Sequence, residues 1–188
     1  MPADSSGYDR IILGIDPGTT IAGYGVIGVR QKKAELISLG VIDMRKFSDH
    51  YLKLKHIFDR TLSLIDQYNP DELAVEAPFY GKNVQSMLKL GRAQGASIAA
   101  ALYRSVPIYE YAPRKIKMSI TGAGAASKEQ VAGMIGKLLN FKIDEIMLDA
   151  TDGLAAALCH FFQSDKPKSE AGYNSWKDFL NKNPGRVK

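Results

Sequence analysis

Four acidic side chains stand where the sequence around them is otherwise apolar or small. Asp16 closes the run Ile11-Ile12-Leu13-Gly14-Ile15, and Glu76 closes Leu73-Ala74-Val75. Asp149 and Asp152 lie three apart within Leu148-Asp149-Ala150-Thr151-Asp152-Gly153-Leu154. On a helix that spacing puts both on one face, with Cβ atoms roughly 5–6 Å apart. A carboxylate held near a core is costly unless a cation pairs with it, and neither strand carries a basic residue at its own end. A pair of hard divalent cations, Mg²⁺ or Mn²⁺, would answer the charge, because such ions prefer carboxylate oxygen. Two such ions can activate a water on one side of a phosphodiester and stabilise the departing 3′ oxygen on the other. Each carboxylate taken singly also has an ordinary reading: Asp16 as a turn former before Pro17-Gly18, Glu76 as a surface strand end, Asp149 as a helix N-cap.

The elements that must carry these groups follow from periodicity and punctuation. Residues 11–15 form a short apolar strand ended by the turn Asp16-Pro17-Gly18-Thr19-Thr20. Residues 24–29 and 35–42 are two further strands, the first joined tightly to strand one. Over residues 49–68, Leu52, Leu54, Ile57, Phe58, Leu62 and Ile65 fall at helical spacing, and Asn69-Pro70 stops the helix. Residues 73–76 make a buried strand, 83–104 a long helix and 106–111 another strand. Ser127, after a loop rich in Gly and Ala, caps a helix that runs to about residue 139. A last helix runs from about 148 to 162. The order β-β-β-α-β-α-β-α-α defines an α/β fold, with antiparallel strands first and parallel crossovers later.

At 188 residues the chain is sized for one domain around one core. It divides into a disordered polar arm over 1–9, a folded domain over 10–163 and a flexible basic tail over 164–188. The tail holds Lys166, Lys168, Lys177, Lys182, Arg186 and Lys188 against Asp165, Glu170 and Asp178, three of the formal net charges of +5. A basic balance is compatible with a polyanion partner and is weak evidence alone. The single cysteine, Cys159, sits in an apolar run and reads as a small buried hydrophobe. No run approaches the roughly 20 apolar residues of a membrane span, and the start lacks the apolar stretch of a signal peptide. The expectation is an intracellular, reducing compartment.

With those residues in hand, the chain resembles the RuvC family of Holliday junction resolvases over residues 10–163. The matching stretches are Ile12-Leu13-Gly14-Ile15-Asp16-Pro17-Gly18 with Gly23-Tyr24-Gly25, then Val75-Glu76 with Phe79 and Lys82-Asn83. Leu88-Lys89-Leu90-Gly91 with Gly95 follows, then Tyr111-Ala112 with Lys117 and Gly122, and Asp149-Ala150-Thr151-Asp152-Gly153-Leu154-Ala155. One piece such as Gly-Ile-Asp-Pro-Gly is weak; the ordered set is strong. The resemblance implies a ribonuclease-H-like fold with a five-stranded mixed sheet flanked by helices. It implies a bacterial, cytoplasmic homodimer that makes paired symmetric nicks in a four-way DNA junction, with a RuvA–RuvB branch-migration complex as partner. It puts four metal ligands, serving two Mg²⁺ per site, at Asp16, Glu76, Asp149 and Asp152. The junction-core aromatic falls on Phe79, and DNA-contacting lysines fall on Lys117 and Lys128. Where the family commonly has Gln or a similar residue after the glutamate, this chain has Ala77-Pro78.

Phe79 and Tyr80 follow the glutamate in a loop bracketed by Pro78 and Gly81, where an exposed aromatic can stack on a base for about 1–3 kcal/mol; packing under the loop is the alternative. Lys82, Lys89, Arg92, Arg114, Lys115, Lys117 and Lys128 fall in segments that flank the site, placed to hold phosphates without reading bases, although any one surface lysine can be merely solvated. Gly91, Gly95 and Ala99 recur at four-residue steps on the long helix. That small face suits either a two-fold helix pair or packing on the chain's own sheet. Gly14-Ile15-Asp16-Pro17-Gly18-Thr19-Thr20 also resembles the first phosphate loop of actin-like ATPases, which need two such domains and a second loop. A related ribonuclease-H-like nuclease acting on RNA would share the first motif but not the Phe79 and Asp149-to-Asp152 pattern.

Overall fold

The protein's structure is a computed structural model that describes residues 7–78, 83–142 and 148–164. Phe79, Tyr80, Lys82 and the tail from 165 lie outside the described residues, as does most of the arm. Tyr8 and Asp9, expected to belong to that arm, are held. The Asp9 amide donates to the Val29 carbonyl at 2.8 Å, and the Arg30 guanidinium lies 4.8 Å from the Tyr8 ring centroid.

The five strands are β1 (Arg10–Asp16), β2 (Ile21–Arg30), β3 (Lys33–Asp43), β4 (Glu72–Glu76) and β5 (Ile108–Tyr111). They form one sheet in the order β3-β2-β1-β4-β5. β2 pairs antiparallel with β1 and β3, whereas β4 pairs parallel with β1 and β5. This is the expected mixed sheet. Five helices flank it: α1 (His50–Tyr68), α2 (Val84–Tyr103), α3 (Pro113–Thr121), α4 (Lys128–Leu138) and α5 (Leu148–Ser164).

Local chemistry sets the helix ends. Asp49 caps α1 by accepting from the Leu52 amide, and Asn69 ends it in the left-handed region at φ 45°. Asn83 caps α2. Ser127 and Gln130 form a reciprocal capping box at the start of α4. Helix α3 corrects the sequence reading, which passed over it. Its sequence is short and basic, but Pro113 sits at the first turn, Ile116 and Ile120 are buried one turn apart, and Gly122 closes it at φ 74°. β5 begins later than expected because the Val106 amide donates to the Ala101 carbonyl at the end of α2, and Pro107 has no N–H to offer.

Successive strand residues face opposite sides of a sheet, and the two cores follow that rule. Ile11, Leu13 and Ile15 pack with Ile57, Leu64 and Ala101 on the side of α1 and α2. Ile12, Ala74 and Ile27 pack with Ile116, Val131, Leu154 and Leu158 on the side of α3, α4 and α5. Asp16 has the parity of Ile12, and Glu76 has the parity of Ala74. Both carboxylates therefore point to the face that receives α5.

Helix α5 lies close on that face because glycines remove the side chains between the backbones. An added Cβ at Gly14 would meet the Gly153 carbonyl, one at Gly25 would meet Leu154, and one at Gly153 would come within 2.5 Å of the Gly23 carbonyl oxygen. Gly23 is the register partner of Asp16 in the β1–β2 ladder. The start of α5, which carries Asp149 and Asp152, is thus seated beside the end of β1. Farther along α5, buried His160 receives the Tyr111 hydroxyl at Nδ1 (2.6 Å), and its Nε2 meets Glu72 (3.0 Å). Burial lowers the His160 pKa, which fits a neutral ring donating to Glu72. This contact locks β4, β5 and α5 together behind the site.

Candidate active site

The parallel register Ile15↔Val75 puts the next residues, Asp16 and Glu76, at adjacent strand ends, where strands lie about 4.8 Å apart. They open into a cleft of about 570 Å³ that Asp152, Arg114, Lys117 and Lys128 also line. Asp149 stands at the rim, and its side chain is half exposed. The Lys128 ammonium joins the two helix carboxylates, 2.7 Å from Asp149 Oδ1 and 2.7 Å from Asp152 Oδ2. The sequence offered no cation at the strand ends; the fold brings one from α4, and Lys128 is an ion-pair partner in the site.

The charges are under stress. Burial, then repulsion from Asp152, raises Asp16 to about 7, with Lys128 opposing and Asp149 adding. Glu76 is pushed up to about 8 by burial and by the charges of Asp16 and Asp152, against the pull of Lys117 and Lys128. Burial also raises Asp152, although its bond to Lys128 works the other way. Three carboxylates that disfavour one another's ionisation in one cleft share a need for positive charge. Among the described residues no three His, Cys, Asp or Glu groups already surround one point, and Lys128 holds two of the four carboxylates. The donor set is oxygen only and fits hard divalent cations. Asp16, Glu76, Asp149 and Asp152 are the residues that would hold them.

The remaining predicted residues divide. Lys117 is half-buried in the cleft wall, and Arg114, outside the family-derived set, also lines it. Lys89 and Arg92 are exposed on α2, and neither lines this cleft. Gln94 was missed by sequence reasoning. It is buried, and its side-chain amide donates to the Glu76 carbonyl (3.2 Å) and to Glu110 (3.0 Å), fixing α2 against the end of β4. Its only sequence signal is a polar residue on the inner face of a helix.

A sheet with this order and a polyacidic cleft at the ends of β1 and β4 defines a nuclease of the ribonuclease-H-like fold. Residues 12–160 match the family model described as Crossover junction endodeoxyribonuclease RuvC. The RuvC of Bacteroides fragilis is 64% identical over 182 residues, covering 96% of this chain and 97% of that protein. The RuvC of Porphyromonas gingivalis is 56% identical over 185 residues, covering 96% and 98%. The solved structure of T. thermophilus RuvC in complex with a Holliday junction substrate aligns with a TM-score of 0.76 at 33% identity, covering 82% of this chain and 94% of that one. The chain belongs to the RuvC family of crossover junction endodeoxyribonucleases, the Holliday junction resolvases of DNA recombination and repair. Among the described residues, no helix is long and apolar enough to cross a membrane.

Proposed function

We propose that this enzyme cuts four-way DNA junctions in the bacterial cytoplasm by metal-dependent hydrolysis, with Asp16, Glu76, Asp149 and Asp152 as its metal ligands. The supporting observation is that Asp16 and Glu76 end adjacent parallel strands on the one sheet face that receives Asp149 and Asp152. Two Mg²⁺ ions, with Mn²⁺ as substitute, would supply an activated water and stabilisation of the leaving 3′ oxygen. The chain's own residues do the rest. The β1 and β4 ends fix two carboxylates on a rigid sheet, and α5 brings the other two. Lys117 and Arg114 line the cleft and hold the phosphodiester in it. Lys128 neutralises Asp149 and Asp152 in the free enzyme; bound cations would take over that role, and the ammonium would then be available to a phosphate. Phe79 stacks at the opened junction centre, with Lys82, Lys89 and Arg92 along the DNA backbone.

The enzyme acts as a two-fold dimer through α2, matching the near two-fold symmetry of its substrate, and receives junctions from a RuvA–RuvB complex. The inner face of α2 buries Ala93, Gln94, Ser97, Ala100 and Ala101. The outer face carries Val84, Leu88, Gly91, Gly95, Ile98 and Leu102, at alternating four- and three-residue steps. Val84, Leu88 and Leu102 are exposed, and a Cβ at Gly91 or Gly95 would meet nothing within 4 Å. Such spacing is the seam of a helix pair.

The test is incubation with a synthetic mobile four-way junction and Mg²⁺, with and without chelator, mapping nicks on all four strands. Symmetric, chelator-sensitive nicks in two strands of like polarity are expected. Nicking that survives chelation, or that falls on one strand alone, contradicts the reading.

A further inference from the structure

Beside the acidic cleft lies a cavity of opposite character. Its volume is about 230 Å³, and it is lined by Thr19, Thr20, Ser48, His50, Lys53 and Lys89. The lining residues carry three hydroxyls, an imidazole and two ammonium groups, and none carries a carboxylate. Asp49, the nearest acid in sequence, has its side chain turned to cap α1 at the Leu52 amide, 2.8 Å away. Among the described residues neither Lys53 nor Lys89 has an ion-pair partner. The His50 Nε2 atom is buried and makes no hydrogen bond.

The cavity is tied to the catalytic strands on both sides. Thr19 follows Asp16 by three residues, so their Cα atoms are at most about 11 Å apart. The Thr20 carbonyl accepts from the Met44 amide at 2.9 Å, which holds the β1–β2 turn against the segment leading into α1. Lys89 lies in the second turn of α2, whose chain arrives from Glu76. The N-terminal end of α1, where His50 and Lys53 sit, adds a positive dipole end. A water occupies about 30 Å³ of liquid, so the space admits a tetrahedral oxyanion.

Resting on the reading that the neighbouring cleft cuts DNA, we propose that this cavity binds a backbone phosphate of the cleaved strand, a few nucleotides from the scissile bond. A cation-seeking cleft and an anion-seeking cavity set side by side suit a strand that must present one phosphate to the acids while another is gripped. Lys53, Lys89 and the Thr19, Thr20 and Ser48 hydroxyls donate to the phosphate oxygens. The contact carries no base information and sets the register of the strand on the enzyme.

The experiment measures junction affinity against salt concentration, in chelator so that nothing is cut, for the parent, Lys53→Gln and Lys55→Gln. Lys55 is on the same helix but pairs with Asp59, so it serves as the control. Losing one phosphate contact reduces the slope of log K against log salt by about 0.9. That reduction is expected for Lys53→Gln, with affinity roughly three- to tenfold weaker at moderate salt, and no change is expected for Lys55→Gln. A junction carrying single neutral methylphosphonates supplies the second arm: one position near the nick should weaken the parent and leave Lys53→Gln unaffected. Thr20→Val, at an exposed position, should lose the same sensitivity. A Lys53→Gln slope and methylphosphonate profile equal to the parent's overturns the phosphate site. If the parent does not nick junctions in Mg²⁺, the nuclease reading fails separately, since the binding arms need no cutting.

Discussion

The main chain of Gly23 lies so close to the carbonyl of Asp149 that no Cβ fits between them. The strand residue paired with Asp16 is thereby the seat of the helix that carries the other two acids. Gly23→Ala should push the start of α5 outward. Overpacking of this kind costs about 1–3 kcal/mol, read as a lower denaturant midpoint. Junction cleavage should fall further than stability, because the carboxylates separate while the fold persists. Full cleavage at parental stability would show that this approach does not position the site.

Without divalent cations the acidic cleft should itself be destabilising as pH rises. The folded-state pKa of Asp16, about 7, lies above its ordinary 3.8, and that of Glu76, about 8, above 4.5. The native state thus binds more protons than the unfolded chain between those values. Stability is greatest below about pH 4 to 4.5 as far as these two groups are concerned, and is lost as pH climbs through 7 to 8. In chelator at pH 8.5, Asp16→Asn should be more stable than the parent by about 2 kcal/mol, half or less of the full shift at about 1.4 kcal/mol per unit. Urea titrations at pH 5 and pH 8.5 read this directly. A parent as stable as the variant at pH 8.5 would contradict it.

Lys128 competes with cations for Asp149 and Asp152. Lys128→Gln should therefore bind Mg²⁺ more tightly, by about three- to tenfold if the ion pair is worth roughly 1 kcal/mol at its partial exposure. It should nonetheless cut junctions more slowly, because a phosphate contact is lost. Calorimetric Mg²⁺ titration beside a cleavage time course separates the two effects. Weaker Mg²⁺ binding by the variant would mean that the lysine organises the site rather than competing for it.

The outer face of α2 gives a prediction independent of chemistry. A Cβ at Gly95 meets nothing in the monomer, so Gly95→Trp should fold normally. It should wedge the helix pair apart, giving a monomeric mass by light scattering at micromolar concentration and loss of paired nicking. A dimeric Gly95→Trp would move the interface elsewhere.

Much of this was legible in the residues, for identifiable reasons. Strand alternation alone puts Asp16 in phase with Ile12 and Glu76 in phase with Ala74, and helical spacing alone puts Asp149 and Asp152 on one face. Ser127 was recognisable as a cap because a serine there follows a loop rich in Gly and Ala. Helix α3 escaped because nine residues with four basic or hydroxyl positions in its first seven show little periodicity. Gln94 and the ion pairing of Lys128, a residue read from sequence only as a DNA contact, escaped for a different reason: their partners, Glu76 with Glu110 and Asp149 with Asp152, lie 16 to 24 residues away, and only the folded chain brings them together. The small face of α2 had two readings in sequence. Burial of Ala93, Ser97 and Ala101 on the opposite side turns Gly91 and Gly95 away from the sheet.

The central claim is that the four carboxylates serve cutting rather than DNA binding, and Asp16→Asn tests it most directly. That variant keeps shape and removes one ionisable oxygen pair. Measured on a synthetic four-way junction in Mg²⁺, it should bind with at least parental affinity while cutting falls by about a thousandfold or more, the scale of losing several kcal/mol of transition-state stabilisation. Cleavage at a parental rate would contradict the account.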